Sequence, residues 1–142
     1  MVTLIGMGSG SWEALSAQAQ DAVRRAGLVF GAKRLLAGLP PECTARQFAL
    51  YQPAEILETL AQAPGQDAAV LYSGDTGFYS GASGLLTPLR ALGIPARVYP
   101  GVSSIQLLAA ALGRPWQDWK LVSAHGCACD PVAQCMTAVS YT

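Results

Sequence analysis

The feature that most restricts the fold of this chain is a recurring kind of short apolar run. VTLI (2–5), LVFG (28–31) and AAVLY (68–72) show no alternation of polar and apolar positions. A strand with one face in water alternates, so a strand that does not is covered on both faces. Helical stretches separate these runs. In residues 16–27, SAQAQDAVRRAG, Ser16 is placed to cap, Ala19, Ala22, Val23 and Ala26 share a face, and Gly27 is a stop signal. Pro53 opens PAEILETLAQAPG, with Ile56, Leu57 and Leu60 on one side. KRLLAGLPP reads as a short helical piece ended by Pro40 and Pro41, residues 46–50 as a strand and 83–92 as a helix. ARVYPG, SSIQLLAAALG and KLVSAH then give strand, helix and strand, and the pattern weakens after His125. The expected class is α/β: an open, mostly parallel sheet with helices on both faces and right-handed crossovers.

Composition narrows the function. The chain has 142 residues, 51% hydrophobic and 13% charged, which supports a packed core rather than disorder. Nine basic residues balance nine acidic ones, so no electrostatic footprint for nucleic acid is present. No apolar run approaches the roughly 20 residues of a membrane span, and the first residues lack the basic region of a signal peptide. The expectation is a cytoplasmic protein that binds neither membrane nor nucleic acid. Its four cysteines then read as reduced thiols. His125 with Cys127, Cys129 and Cys135 lacks the usual paired zinc spacing, so no metal is assigned.

Ligands of open parallel sheets bind beyond the carboxyl ends of the strands. Three turns there are chemically unusual. GMGSGS (6–11) is a small-residue loop. It fails the dinucleotide fingerprint, because Ser11 stands where glycine or alanine is needed and no acidic residue follows about twenty positions on. Nor does a Gly-Lys-Ser/Thr follow to make a phosphate loop. SGDTGFY (73–79) sets a lone carboxylate, Asp75, in pliant backbone beside Phe78 and Tyr79. Asp75 there can accept hydrogen bonds from hydroxyls or an amine, with the rings flanking a flat group; equally, it caps a turn and the rings are core. PGVSS (100–104) offers two hydroxyls at a helix start, which cap the helix or meet a ligand at the positive end of its dipole. No Gly-x-Ser-x-Gly elbow is present, and the single histidine is better read as a loop residue than as part of a hydrolase triad.

In order and spacing these loops resemble the tetrapyrrole methylase family, S-adenosylmethionine-dependent C-methyltransferases of cobalamin and sirohaem synthesis. The resemblance runs from residue 2 to about residue 126. GAKRLL after the second strand and LGRPWQDWKLVSAHG (112–126) point to the branch that methylates C5 of a precorrin or cobalt-precorrin. It implies that residues 1–126 form the N-terminal α/β subdomain, and that 127–142 begin a linker or second subdomain, so that the chain reads as an N-terminal fragment. It further implies a cofactor site of Ser9, Ser73, Gly74, Asp75, Phe78, Ser103 and Ser104, and substrate carboxylates met by Lys33 and Arg34, with Arg114 a further candidate. A homodimer is implied, and so is a separate enzyme for C15 methylation and decarboxylation. Two departures stand out: Thr76 and Ser9 occupy positions where relatives carry proline. No catalytic residue is assigned, because attack by an electron-rich carbon on an activated methyl needs alignment more than a base.

Overall fold

A computed structural model describes residues 1–121 of the protein. The chain divides into two compact units, Met1–Leu107 and Leu108–Thr142. The first is an α/β unit with five parallel strands: β1 (Val2–Gly6), β2 (Leu28–Phe30), β3 (Arg46–Phe48), β4 (Ala68–Tyr72) and β5 (Ala96–Tyr99). Their order across the sheet is β3-β2-β4-β1-β5. The helices are α1 (Ala17–Arg25), α2 (Lys33–Leu36), α3 (Pro53–Ala61), α4 (Ala82–Ala91) and α5 (Ser104–Leu112), with a 3-10 turn at Trp12–Ala14.

The unalternating strands do what their sequence requires. On β1, Leu4 enters one core cluster and Ile5 the other; on β4, Val70 and Leu71 divide the same way. One cluster sits under α1 and α2 through Ala19, Val23, Leu35 and Leu36. The other sits under α3 and α4 through Ile56, Leu85 and Leu89, with Leu28 and Phe30 from β2. Fully burying a side chain such as Leu4, Ile56 or Leu85 stabilises the fold by about 1.5–3 kcal/mol. The parallel register is long at the centre, pairing Val2 with Ala68 through Gly6 with Tyr72. Phe30 and Phe48 stack at 5.2 Å where β2 meets the edge strand β3.

Local signals account for most element ends. Ser16 caps α1 by accepting the Ala19 N–H at 3.3 Å, and Pro53 occupies the first turn of α3. Three expectations are revised. First, α1 stops at Arg25 through Ala26, which turns to φ −69°, ψ 136°, rather than through a left-handed glycine. Gly27 instead donates its N–H to the Asp67 carbonyl at 2.8 Å, steering the chain into β2. Second, β3 is shorter than read, ending at Phe48. Third, β1 extends to Gly6 because it keeps pairing with Tyr72.

The second unit starts within α5. Its described part closes that helix at Gly113, where φ is +60° and Arg114 N–H bonds back to the Ala109 carbonyl at 3.0 Å. A turn follows, with Trp119 N–H on the Trp116 carbonyl. Most of the expected strand KLVSAH, the subdomain boundary at residue 126, His125, Cys127, Cys129 and Cys135 lie outside the described residues.

Candidate functional site

β1 and β4 are neighbours in the sheet, yet the helices that follow them pack on opposite faces, α1 in one cluster and α4 in the other. Two adjacent parallel strands whose chains leave to opposite sides open a crevice at their carboxyl ends, the general ligand position in such sheets. The loop after β5 ends at the same edge, because β5 runs parallel beside β1.

At that edge the three loops meet through their backbones. Gly8 and Gly74 form an isolated antiparallel pair, exchanging N–H···O=C bonds of 3.1 and 2.9 Å at the tip of a parallel sheet. Both are left-handed, at φ +55° and +64°, a conformation glycine adopts without a steric penalty. Below them, Gly6 and Gly101 stand too close for any side chain. A Cβ on Gly101 would lie 2.2 Å from the Gly74 carbonyl oxygen and 2.5 Å from that of Gly6. So Gly6, Gly74 and Gly101, one from each region, pack main chain on main chain.

Asp75 fastens this arrangement. Its Oδ1 accepts the Gly77 N–H at 2.8 Å and its Oδ2 accepts the Gly101 N–H at 3.1 Å. A carboxylate offers about four acceptor positions, and these bonds fill two of them. Of the two readings of Asp75, the turn cap is the one these bonds display, and it spans two loops. Next to it Thr76 is buried and donates its hydroxyl to the Tyr99 carbonyl at 3.3 Å, a second tie between the loop after β4 and the end of β5.

The serines divide by role. Ser103 is buried and forms a reciprocal cap: its Oγ accepts the Gln106 N–H at 3.2 Å while Gln106 Oε1 accepts the Ser103 N–H at 2.8 Å. That is the capping box of a helix start. Ser104 is exposed in the first turn of α5. Ser9 is exposed and stands 3.5 Å, oxygen to oxygen, from Ser11.

Lys33 and Arg34, both exposed, begin α2 just beyond β2. Arg34 reaches across the rim and donates to the Ser73 hydroxyl. A Cβ placed on Gly10 would lie 3.9 Å from an Arg34 guanidinium nitrogen, so this cation adjoins both the first and second loops.

Phe78 and Tyr79 lie in the same loop, edge to face, with centroids 4.8 Å apart. Phe78 is half-buried; Tyr79 is exposed and left-handed at φ +48°. At the end of β4, burial pushes the Tyr72 hydroxyl up to about 12. Among the described residues no group of three or more His, Cys, Asp or Glu is arranged to hold a metal ion. No helix among them is long and apolar enough to cross a membrane.

Of the residues expected from sequence, Ser73, Gly74, Asp75 and Phe78 share one loop, and Ser103 follows Gly101, the glycine to which Asp75 is bonded. Arg34 joins them through Ser73, whereas among the described residues no hydrogen bond ties the Lys33 side chain to the rim. Thr76, Gly6 and Gly101 were not on that list. The sequence marks Gly6 and Gly101 only as glycines at or just beyond a strand end, within the small-residue loops 6–11 and 100–104, and Thr76 only as a departure from proline.

Comparison with known proteins bears on this geometry. The family described as Tetrapyrrole (Corrin/Porphyrin) Methylases matches residues 1–136. The cobalt-precorrin-7 C(5)-methyltransferase of Salmonella typhimurium is 34% identical over 128 residues, covering 89% of this chain and 62% of that protein. The precorrin-4 C(11)-methyltransferase of Rhodococcus erythropolis is 32% identical over 120 residues, covering 80% and 48%. Among solved structures, the uroporphyrin-III C-methyl transferase of Thermus thermophilus complexed with S-adenyl homocysteine superimposes with a TM-score of 0.62 at 25% identity, covering 78% of this chain and 47% of that one. The chain thus spans less than two thirds of the length of these relatives.

Proposed function

The chain belongs to the tetrapyrrole (corrin/porphyrin) methylases, and from that premise we propose that it provides the N-terminal subdomain, residues 1–126, of an S-adenosylmethionine-dependent C-methyltransferase of cobalamin biosynthesis. The substrate is a precorrin or cobalt-precorrin, and the position methylated is C5. The observation that carries the reading is the shared rim, where Gly6, Gly74 and Gly101 pack backbone on backbone and Asp75 bonds across two loops. The C5 position is supported by the 34% identity to the Salmonella enzyme. The 32% identity to a C(11)-methyltransferase favours C11 as the second reading.

The residues present fit such a cofactor. Gly8 and Gly74 lack side chains where a Cβ would stand 3.5 Å from Val102 N and 3.9 Å from Ser103 Cα, so the loops approach one another with no side chain between them at these points. Ser9, Ser73 and Ser104 present exposed hydroxyls, Asp75 has acceptor capacity left, and Phe78 offers a ring. Ser9, Ser73, Gly74, Asp75, Phe78, Ser103 and Ser104 would hold it. When bound, the cofactor supplies a methyl group already activated by a sulfonium charge. The chain's own task is then to bind, orient and exclude water, a contribution that reaches on the order of 7–11 kcal/mol in well-aligned reactions. The rim ties of Asp75 and Thr76 fix the loops before any ligand arrives, which is what orientation requires. Lys33 and Arg34 meet carboxylates of the macrocycle, Arg34 from a position already set by Ser73. A homodimer in the cytoplasm, working beside a separate C15-methylating and decarboxylating enzyme, completes the proposal.

Titration calorimetry with S-adenosylhomocysteine tests the cofactor. Binding by the wild-type chain that is lost or weakened at least tenfold in Asp75→Ala supports it; no binding by either refutes it. Methyl transfer from 13C-labelled cofactor, read by carbon NMR of the product, then separates C5 from C11.

A further inference from the structure

Among the described residues, positive φ occurs at six glycines, Gly8, Gly10, Gly65, Gly74, Gly93 and Gly113, and at one other residue, Tyr79. Left-handed backbone suits glycine and disfavours a residue with a bulky side chain. Everywhere else among the described residues the demand is met with glycine, Gly74 at the start of the same loop included. Burial does not explain the exception, since Tyr79 is 63% exposed. Among the described residues its one ring contact is with Phe78. A bulky ring held in an unfavourable backbone and left in solvent, four residues after Asp75, has no folding role that accounts for it. Such strain concentrates where a side chain is needed for a ligand.

We propose that Tyr79 is the stacking platform for the conjugated, locally planar segment of the substrate's tetrapyrrole, a specificity-determining residue at the outer side of the rim. This rests on the function proposed above. The ring geometry separates the two aromatic residues into two duties. Their planes meet at 77°, so a planar molecule lying flat on one ring stands edge-on to the other. One flat ligand cannot stack on both. Phe78, half-buried, is the inner ring and suits the compact cofactor. Tyr79, open to solvent, is the ring that a broad macrocycle can cover. Arg34 and Lys33 lie on the loop side of the same sheet edge, where carboxylates at the border of a flat macrocycle would find them.

The test compares the full wild-type chain with Tyr79→Gly and Tyr79→Phe. Three quantities are read: melting temperature, calorimetric affinity for S-adenosylhomocysteine, and affinity for uroporphyrin III by fluorescence quenching, as a flat polycarboxylate macrocycle. Tyr79→Gly is expected to melt no more than about 2 °C below wild type, because released backbone strain offsets the lost ring. It should keep its S-adenosylhomocysteine affinity within twofold and lose porphyrin affinity by about fivefold or more. Tyr79→Phe should keep both. A larger fall in melting temperature overturns the proposal, because the ring then serves the fold. Porphyrin affinity falling by less than fivefold overturns it, and so does a matching loss of S-adenosylhomocysteine binding. A wild-type chain that binds S-adenosylhomocysteine but no porphyrin refutes the platform alone; one that binds neither refutes the cofactor reading and the platform with it.

Discussion

Gly101→Ala adds one methyl group to a place that holds only main chain. The new Cβ would stand 2.2 Å from the Gly74 carbonyl oxygen, 2.5 Å from the Gly6 carbonyl oxygen and 2.6 Å from the Gly6 carbonyl carbon. None of these is a rotatable side-chain tip, so the loop after β5 must withdraw. Withdrawal breaks the charge-assisted bond from Gly101 N–H to Asp75 Oδ2, now 3.1 Å, which is worth about 1.5–3 kcal/mol. Residual overpacking adds about 1–3 kcal/mol. The two are not independent, since moving away relieves the clash while losing the bond, so the expected loss is about 2–5 kcal/mol. Gly84→Ala is the matched control. Gly84 lies in α4, and a Cβ there meets only Pro53 Cγ at an ordinary 3.6 Å. The same chemical change should there stabilise by about 0.5–1 kcal/mol through helix propensity. Urea denaturation followed by circular dichroism gives both values, and calorimetry with S-adenosylhomocysteine shows whether the rim survives in the folded fraction. A Gly101→Ala protein within about 0.5 kcal/mol of wild type, with cofactor affinity intact, would refute the claim that these loops are held main chain to main chain.

Other consequences can be measured in the same way. Ser103→Ala removes the Oγ that accepts the Gln106 N–H and should cost about 1 kcal/mol, with Ser103→Thr recovering most of it, as read by urea midpoints. Thr76→Val keeps the shape but leaves the Tyr99 carbonyl without its donor; a loss of about 0.5–1.5 kcal/mol is expected, and Thr76→Ser should restore it. The Tyr72 hydroxyl is raised by burial from 10.0 to about 12 in the folded protein. Its contribution to stability is therefore complete below pH 10 and is lost as pH rises from 10 to 12, because the unfolded chain releases that proton first. Tyr72→Phe should show a flatter decline in melting temperature across that window, and its ultraviolet titration should lack the late-ionising tyrosine; an unchanged titration curve would contradict the assignment.

How far the sequence predicted this molecule depends on which physical signal is asked. The inner sheet was legible because β1, β2 and β4 are buried on both faces, and that leaves unbroken apolar runs at residues 2–5 and 68–72. Ser16 and Pro53 were readable because caps act within one turn. The end of α1 was not, because the stop comes from Ala26 adopting extended backbone while Gly27 bonds to Asp67, forty residues on. At the site, the three loops could be picked out by their small residues, and Asp75 by its isolation. What Asp75 does could not be read: its second partner, Gly101, is twenty-six residues away. Thr76 stood out in the sequence only as a departure from proline, and the fold gives its hydroxyl a bond to the Tyr99 carbonyl, twenty-three residues on. Arg34 appeared as one half of a basic pair, and only the fold shows that it is Arg34 that reaches Ser73.

The knot of Gly6, Gly74 and Gly101 has a consequence for change over generations. Contacts between main-chain atoms do not depend on which side chains surround them. The outward residues of the three bends, Ser9, Phe78, Tyr79 and Ser104 among them, can therefore be exchanged while the framework that carries them keeps its form. A frame of this kind can be re-lined for a different ligand without being rebuilt.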